Sequence, residues 1–189
     1  MGSRVIHSDE EDARLVQAYR RGDPQAFGQL VVRYQKPVYN AAYRLLGTAE
    51  DASDVTQSVF LRIVERLDDY DPQYRLFSWI YRIAVNESID VLRRSGREEP
   101  LDDDPDFESP GADPQSQYES RNAAQRVQRA LMAMKVEDRT VLTLRHFAEC
   151  SYGEIATILE LDEKTVKSRL FEARRRLAGT LEDLRGVYS

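Results

Sequence analysis

Residues 151–177, SYGEIATILELDEKTVKSRLFEARRRL, decide how the rest of the chain is read. Tyr152 to Leu159 forms a short apolar helix, Glu160-Leu161-Asp162 leaves room only for a tight turn, and Glu163 to Leu181 continues as a longer helix. In that longer helix Val166, Leu170, Ala173 and Leu177 recur at the spacing of one buried face. The polar face is basic, with Lys164, Lys167, Arg169, Arg174, Arg175 and Arg176 set against Glu163 and Glu172. A short helix, a tight turn and a basic helix predict a helix-turn-helix, a unit that lays its second helix in the major groove of DNA. There an Arg or Lys can bond guanine, each good bidentate contact discriminating by about 1–3 kcal/mol. Cations beside the groove hold phosphates and orient the helix. A solvated amphipathic helix is the competing reading of the basic helix taken alone.

Working outward, Ala123 to Met134 and Glu137 to Phe147 read as two further helices. Near the start, Leu15, Ala18, Tyr19, Ala26 and Phe27 recur at helical spacing around Gly22-Asp23-Pro24, where Asp23 can cap a helix with Pro24 in its first turn, so two helices meet there. A third runs from about Phe27 to Leu46. A fourth runs from about Ala49 to Leu67, with Ala52, Val55, Val59 and Ile63 as its buried stripe, and a fifth covers Phe77 to Arg94. No alternating strand pattern competes. The fold class is therefore all-α, with two small helical domains, residues 1–96 and 121–189. Residues 97–120, REEPLDDDPDFESPGADPQSQYES, carry Pro100, Pro105, Pro110, Gly111 and Pro114 among acids and serines, and predict a flexible acidic linker.

The formal net charge of −6 argues against nucleic acid until it is partitioned. Residues 1–96 hold 13 basic and 14 acidic side chains, residues 97–120 hold 1 and 9, and residues 121–189 hold 13 and 10. The acid is concentrated in the linker, and the remainder is slightly basic. No run approaches the roughly 20 apolar residues that span a bilayer, and Met1 to Asp12 lacks the basic head and apolar middle of a secretory signal, so no membrane association and a cytoplasmic location are expected. Cys150, His7 and His146 form no metal-ligand spacing, so neither a metal nor a cofactor is expected. Cys150 reads as core, and His146 as a surface or half-buried residue. An enzyme is disfavoured: there is no Gly-rich phosphate loop and no nucleophile-base-acid arrangement.

Ser151-Tyr152-Gly153-Glu154-Ile155-Ala156, then Thr165-Val166-Lys167-Ser168-Arg169-Leu170-Phe171 and Ala173-Arg174, closely resemble the SY-x-EIA … TVKSRL-x-RAR signature of region 4 of bacterial sigma factors. The first domain resembles region 2 of the same proteins through Gly22-Asp23, Ala26-Phe27, Tyr34, Asp51-Ala52, Asp54, Gln57, Phe60, the run Ser78 to Asn86, Asp90 and Arg93-Arg94. Two regions in this order with a short linker are similar to the extracytoplasmic-function (ECF) group. The resemblance implies that Lys164, Lys167, Ser168, Arg169, Phe171 and Arg174 face the minus-thirty-five promoter element. It implies that Asp51, Asp54, Gln57 and Ser58 meet core RNA polymerase at the clamp helices of its beta-prime subunit. It also implies that the loop Asp68 to Leu76, with Asn86, grips a flipped base of the minus-ten element. Independently, opening a duplex needs a place to hold an unstacked base, and Tyr70, Tyr74, Phe77 and Trp79 cluster beside Arg75 and Arg82. Stacking on such rings is worth about 1–3 kcal/mol per base. Phe77 and Trp79 can instead be core, Trp79 more readily than Tyr70 or Tyr74, and Asn86 can be a buried hydrogen-bonder. The linker would run through the polymerase's nucleic-acid channel as an RNA mimic, or serve as a solvated tether.

Two departures matter. Glu172 stands where the family usually has Arg, which removes it from the DNA contacts. The docking helix, usually D-A-E-D-L-T-Q-E, is here Asp51-Ala52-Ser53-Asp54-Val55-Thr56-Gln57-Ser58, with both glutamates replaced by serine. On a helix Ser58 shares the stripe of Asp51 and Asp54, and Ser53 lies beside Gln57, so both are expected to reach the partner face. Missing rim charges weaken association and its rate, and a phosphate would more than restore each of them. This predicts activation by a serine/threonine protein kinase at Ser53 or Ser58. Thr48, at the helix start as in a capping box, and Thr56 are further candidates. Neutral drift compensated by the partner subunit is the alternative. An anti-sigma partner is left open. The rival to the whole reading is a stand-alone helix-turn-helix transcriptional regulator binding two half-sites; a helical adaptor with nonspecific, salt-dependent DNA contact is another.

Overall fold

The structure, a computed structural model, describes residues 9–97 and 116–186, the side chains of 116–122 and 183–186 excepted. Among these residues the regular structure is helical throughout: α1 (Asp9–Arg20), α2 (Pro24–Leu46), α3 (Ala49–Arg66), a 3-10 turn (Leu67–Asp69), α4 (Leu76–Ser95), α5 (Ser116–Met132), α6 (Val136–His146), α7 (Tyr152–Leu159) and α8 (Glu163–Gly186). Most of the linker expected over 97–120 lies outside the described residues, and its last five residues already belong to α5.

The first domain is built on α2, which packs against α1, α3 and α4. Asp23 accepts a hydrogen bond from the Gln25 N–H, Pro24 occupies the first turn, and α2 then runs unbroken to Leu46. The separate helix expected between the break and Phe27 is only this first turn, so two helices, not three, span residues 9–46. The stripe Ala52, Val55, Val59 and Ile63 is buried as its spacing predicts. α1 is fastened by a buried polar network: the Tyr34 hydroxyl donates to the Asp12 carboxylate at 2.5 Å, and Arg33 Nε lies 3.1 Å from the other oxygen. Burial raises the Asp12 pKa, with the Tyr34 hydrogen bond and Arg33 opposing.

In the second domain α6, α7 and α8 pack together, with α5 against α8. Ser151 and Glu154 form a reciprocal capping box at the start of α7. Glu160 ends α7 in the left-handed region at φ 55°, the bend that sends the chain into α8. The Asp162 carboxylate then accepts from the Thr165 N–H at 2.8 Å and its hydroxyl at 2.6 Å, which fixes the first turn of α8. The helix-turn-helix therefore has the elements expected of it.

The two domains also touch. α6 and α5 pack on α2, and α7 packs on α4. Arg44 Nη1 donates to Gln128 at 2.8 Å and its guanidinium lies 4.4 Å from the Phe147 ring, while Gln128, itself buried, donates back to the Tyr43 carbonyl.

Candidate polymerase and promoter interfaces

Helix α3, the element expected to dock on polymerase, is capped by Thr48, whose hydroxyl accepts from the Asp51 N–H and also donates to the Asp51 carboxylate at 2.8 Å. That carboxylate is held by Arg97 at 2.7 Å, so one of the four residues expected to meet the polymerase already has a cation on it. Asp54 and Gln57 are exposed, and Leu61 (65% exposed) and Val64 (41%) continue their stripe along the helix. The sequence reading did not single out Leu61 or Val64. The signal was available, since both fall outside the Ala52–Ile63 stripe.

Ser58 departs from its expected position. Its hydroxyl donates to Glu87 at 2.9 Å, and Glu87 is a buried carboxylate of α4 paired with Arg62 at 2.6 Å. Ser58 thus turns toward α4 rather than to the outer face. Thr56 donates back to the Ala52 carbonyl at 2.6 Å. Among the described residues Ser53, half-buried, has one side-chain hydrogen bond, a long one accepted from Gln57 at 3.5 Å.

The loop before α4 is tied down by Arg20, whose Nη2 donates to the carbonyls of Leu67 (2.8 Å) and Tyr70 (2.9 Å). Tyr70 is only 7% exposed, its hydroxyl donates to the Tyr74 carbonyl at 2.6 Å, and its ring packs on Trp79 at 5.5 Å; Phe77 is also core. The expectation that Trp79 is more readily core than Tyr70 is thus reversed, because Tyr70 props the loop from beneath while Trp79 is half-buried. Tyr74, 58% exposed, is the ring that stands free. Asn86 is exposed and makes no hydrogen bond among the described residues, so it is not a buried structural hydrogen-bonder. Arg75 is engaged by Asp9 at 2.8 Å and, closely, by Glu154 of α7.

On α8, Lys164 and Ser168 are exposed and unbonded among the described residues, and Phe171 is 67% exposed. Lys167 lies 3.5 Å from Glu163, and Arg174 donates to His146 Nε2 at 3.2 Å. Glu172 is neutralised by Arg175 at 2.8 Å, and Arg176 pairs with Asp138, so neither arginine is spare. Arg169 is half-buried and lines a cavity of about 410 Å³ between the domains, opposite Asn86. Cys150 is buried, and burial pushes its thiol pKa up, as suits a core residue.

A helical domain with an outward docking helix and an aromatic loop, followed by a helix-turn-helix domain, is the build of a promoter-recognition factor. The family pattern described as Sigma-70 region 2 matches residues 30–98, and that described as Sigma-70, region 4 matches residues 124–177. The RNA polymerase sigma-H factor of Pseudomonas aeruginosa is 31% identical over 94% of this chain and 97% of its own. The ECF RNA polymerase sigma-E factor of Escherichia coli is 34% identical over 92% and 95%. Among solved structures, CnrH in complex with the cytosolic domain of CnrY superposes with a TM-score of 0.69 at 27% identity, covering 93% of this chain and 97% of that one. The sigma factor RpoE of Bartonella quintana, in complex with the anti-sigma factor NepR, gives 0.66 at 27%, covering 82% and 96%. The chain belongs to the extracytoplasmic-function group of the sigma-70 family. It is a transcription initiation factor that binds DNA and RNA polymerase.

Proposed function

We propose that this sigma factor docks on the clamp helices of the polymerase's beta-prime subunit through the outer face of α3, reads the minus-thirty-five element with α8, and holds a minus-ten base between Tyr74 and Asn86. The observation that carries the reading is that each of these three faces keeps exposed side chains: Asp54, Gln57, Leu61 and Val64 on α3; Tyr74 and Asn86 at the loop and α4; Lys164, Ser168 and Phe171 on α8.

Docking is gated by charge. The outer face of α3 keeps Asp54, but Asp51 is shared with Arg97, and the two glutamates usual in the family are absent. Phosphorylation by a serine/threonine kinase would replace the missing charge, and the geometry favours Ser53 among the candidates. Its hydroxyl is the least committed, whereas a phosphate on Ser58 would be driven against buried Glu87. Similarity to CnrH and RpoE, each solved with a bound partner, supports an anti-sigma protein as a further partner.

The test compares wild type with Ser53→Glu and Ser58→Glu for binding to purified bacterial core polymerase. Ser53→Glu is expected to bind about tenfold more tightly, the effect of one well-placed interfacial charge. Equal tight binding by all three would remove the charge gate and leave the initiation function in place. Ser53→Ala active in cells that phosphorylate wild type at Ser53 would remove the kinase.

A further inference from the structure

Helix α1 precedes the stretch matched as region 2, which begins at residue 30, yet its two ends hold the two sides of the loop that presents Tyr74. At the C-terminal end of α1, Arg20 Nη2 donates to three main-chain carbonyls, those of Leu67 (2.8 Å), Asp68 (3.1 Å) and Tyr70 (2.9 Å). They lie where α3 and the 3-10 turn run out, and the last carbonyls of a helix have no partners within it. A planar guanidinium placed among them sets the direction in which the chain continues. The Asp68 carboxylate stands farther off, 3.8 Å from Nε, so main-chain oxygens rather than an acid fix this cation. At the N-terminal end of α1, Asp9 pairs with Arg75, the residue after Tyr74, at 2.8 Å.

Between these ends α1 is itself fastened to α2. Leu15 and Val16 are buried, the Tyr34 hydroxyl donates to Asp12 at 2.5 Å, and Arg33 Nε lies 3.1 Å from the same carboxylate. The constraint then passes along the loop. Tyr70, whose carbonyl Arg20 holds, is buried, and its hydroxyl donates to the Tyr74 carbonyl at 2.6 Å. The Tyr74 N–H donates to the Asp71 carbonyl at 3.1 Å. Both main-chain groups of Tyr74 are therefore bonded within the loop, while its ring stays exposed.

We propose that Arg20 is a positioning residue for promoter opening, and that α1 is the brace through which it holds Tyr74 ready for the flipped base. This deepens the assignment of Tyr74 to the minus-ten element and rests on it. A ring fixed in advance keeps the stacking energy of the base, whereas a loose loop spends part of that energy on ordering itself. Among the described residues no hydrogen bond or ion pair of Arg20 reaches Asp54, Gln57, Leu61 or Val64, so docking on polymerase does not depend on it. Arg20 carries the test because Arg75, the other tie, has a second acid in Glu154.

The experiment measures promoter opening by full-length Arg20→Met, Tyr74→Ala and the double variant, each with purified core polymerase. Arg20→Met should bind core polymerase as wild type does and open the promoter about fivefold less, part of the roughly tenfold loss expected for the ring itself. The double variant should open it no worse than Tyr74→Ala, since a brace has nothing to hold once the ring is gone. Losses that multiply in the double variant, weakened core binding by Arg20→Met, or wild-type opening by Arg20→Met beside an impaired Tyr74→Ala each overturn the brace and leave the base-holding assignment standing. Wild-type opening by Tyr74→Ala removes that assignment and the brace with it. Where Arg20→Met does not fold, Arg20→Lys, which keeps the charge and loses the planar fork, carries the same comparison. The free protein gives a second readout. Trp79 is the one tryptophan of the chain and packs on the Tyr70 ring at 5.5 Å. Acrylamide should quench its fluorescence more readily in the Arg20 variant than in wild type, and unchanged quenching would show that the loop does not rely on Arg20, which overturns the proposal.

Discussion

Tyr74 and Asn86 illustrate how few side chains the promoter assignment needs. Tyr70, four residues before Tyr74, donates its hydroxyl to the Tyr74 carbonyl, and Arg20 holds the loop from α1, so Tyr74 is presented on a fixed support. Tyr74→Ala should lower promoter opening about tenfold, the stacking energy of one base, while binding to core polymerase is unchanged in a gel-shift assay. Tyr70→Phe should act differently: loss of one buried hydrogen bond should lower stability by about 1 kcal/mol, read by chemical denaturation. Residue types and spacing located this cluster in the sequence, but not which ring was free. That depends on Trp79 and Arg20 packing beneath the loop, contacts that span the chain.

At the scale of elements, the recognition unit α7–α8 was the most legible part of the sequence, because its signals are local. The Ser151/Glu154 box, the turn at Glu160 and the Asp162 cap all lie within a few residues of what they fix. Ser151→Ala should cost about 1 kcal/mol of stability through the lost cap, measured by thermal unfolding. Lys164→Ala should weaken duplex binding by holoenzyme across sequences and reduce the slope of log affinity against log salt by about 1. The docking helix was half legible. Its buried stripe followed from periodicity, and the replacement of two glutamates by serine was plain. Ser58 was misjudged because its partner Glu87 lies 29 residues away on α4, and the Arg97–Asp51 pair spans 46. Short-range spacing places a side chain on a face without saying what occupies that face. The helix expected before Phe27 failed for a local reason: a capped start with Pro24 continues a helix rather than separating two.

For the whole molecule, reading the acidic segment as a tether gave no expectation that the domains would touch, and nothing local encodes the contact of Arg44 with Gln128 and Phe147. That contact makes the chain more than two modules joined in series: α5 and α6 pack on α2, and α7 packs on α4. Acting through the faces of α3, the Tyr74 loop and α8, the chain is proposed to let polymerase find and open a promoter. The most direct test is permanganate reactivity of unpaired thymines at a cognate promoter, with purified core polymerase and wild-type protein, Tyr74→Ala or Lys164→Ala. Reactivity at the minus-ten element only when core polymerase and wild-type protein are both present, reduced by either substitution, is the predicted result. Promoter-specific binding by the protein alone, with no strand opening when polymerase is added, would rule out these roles and favour a stand-alone regulator.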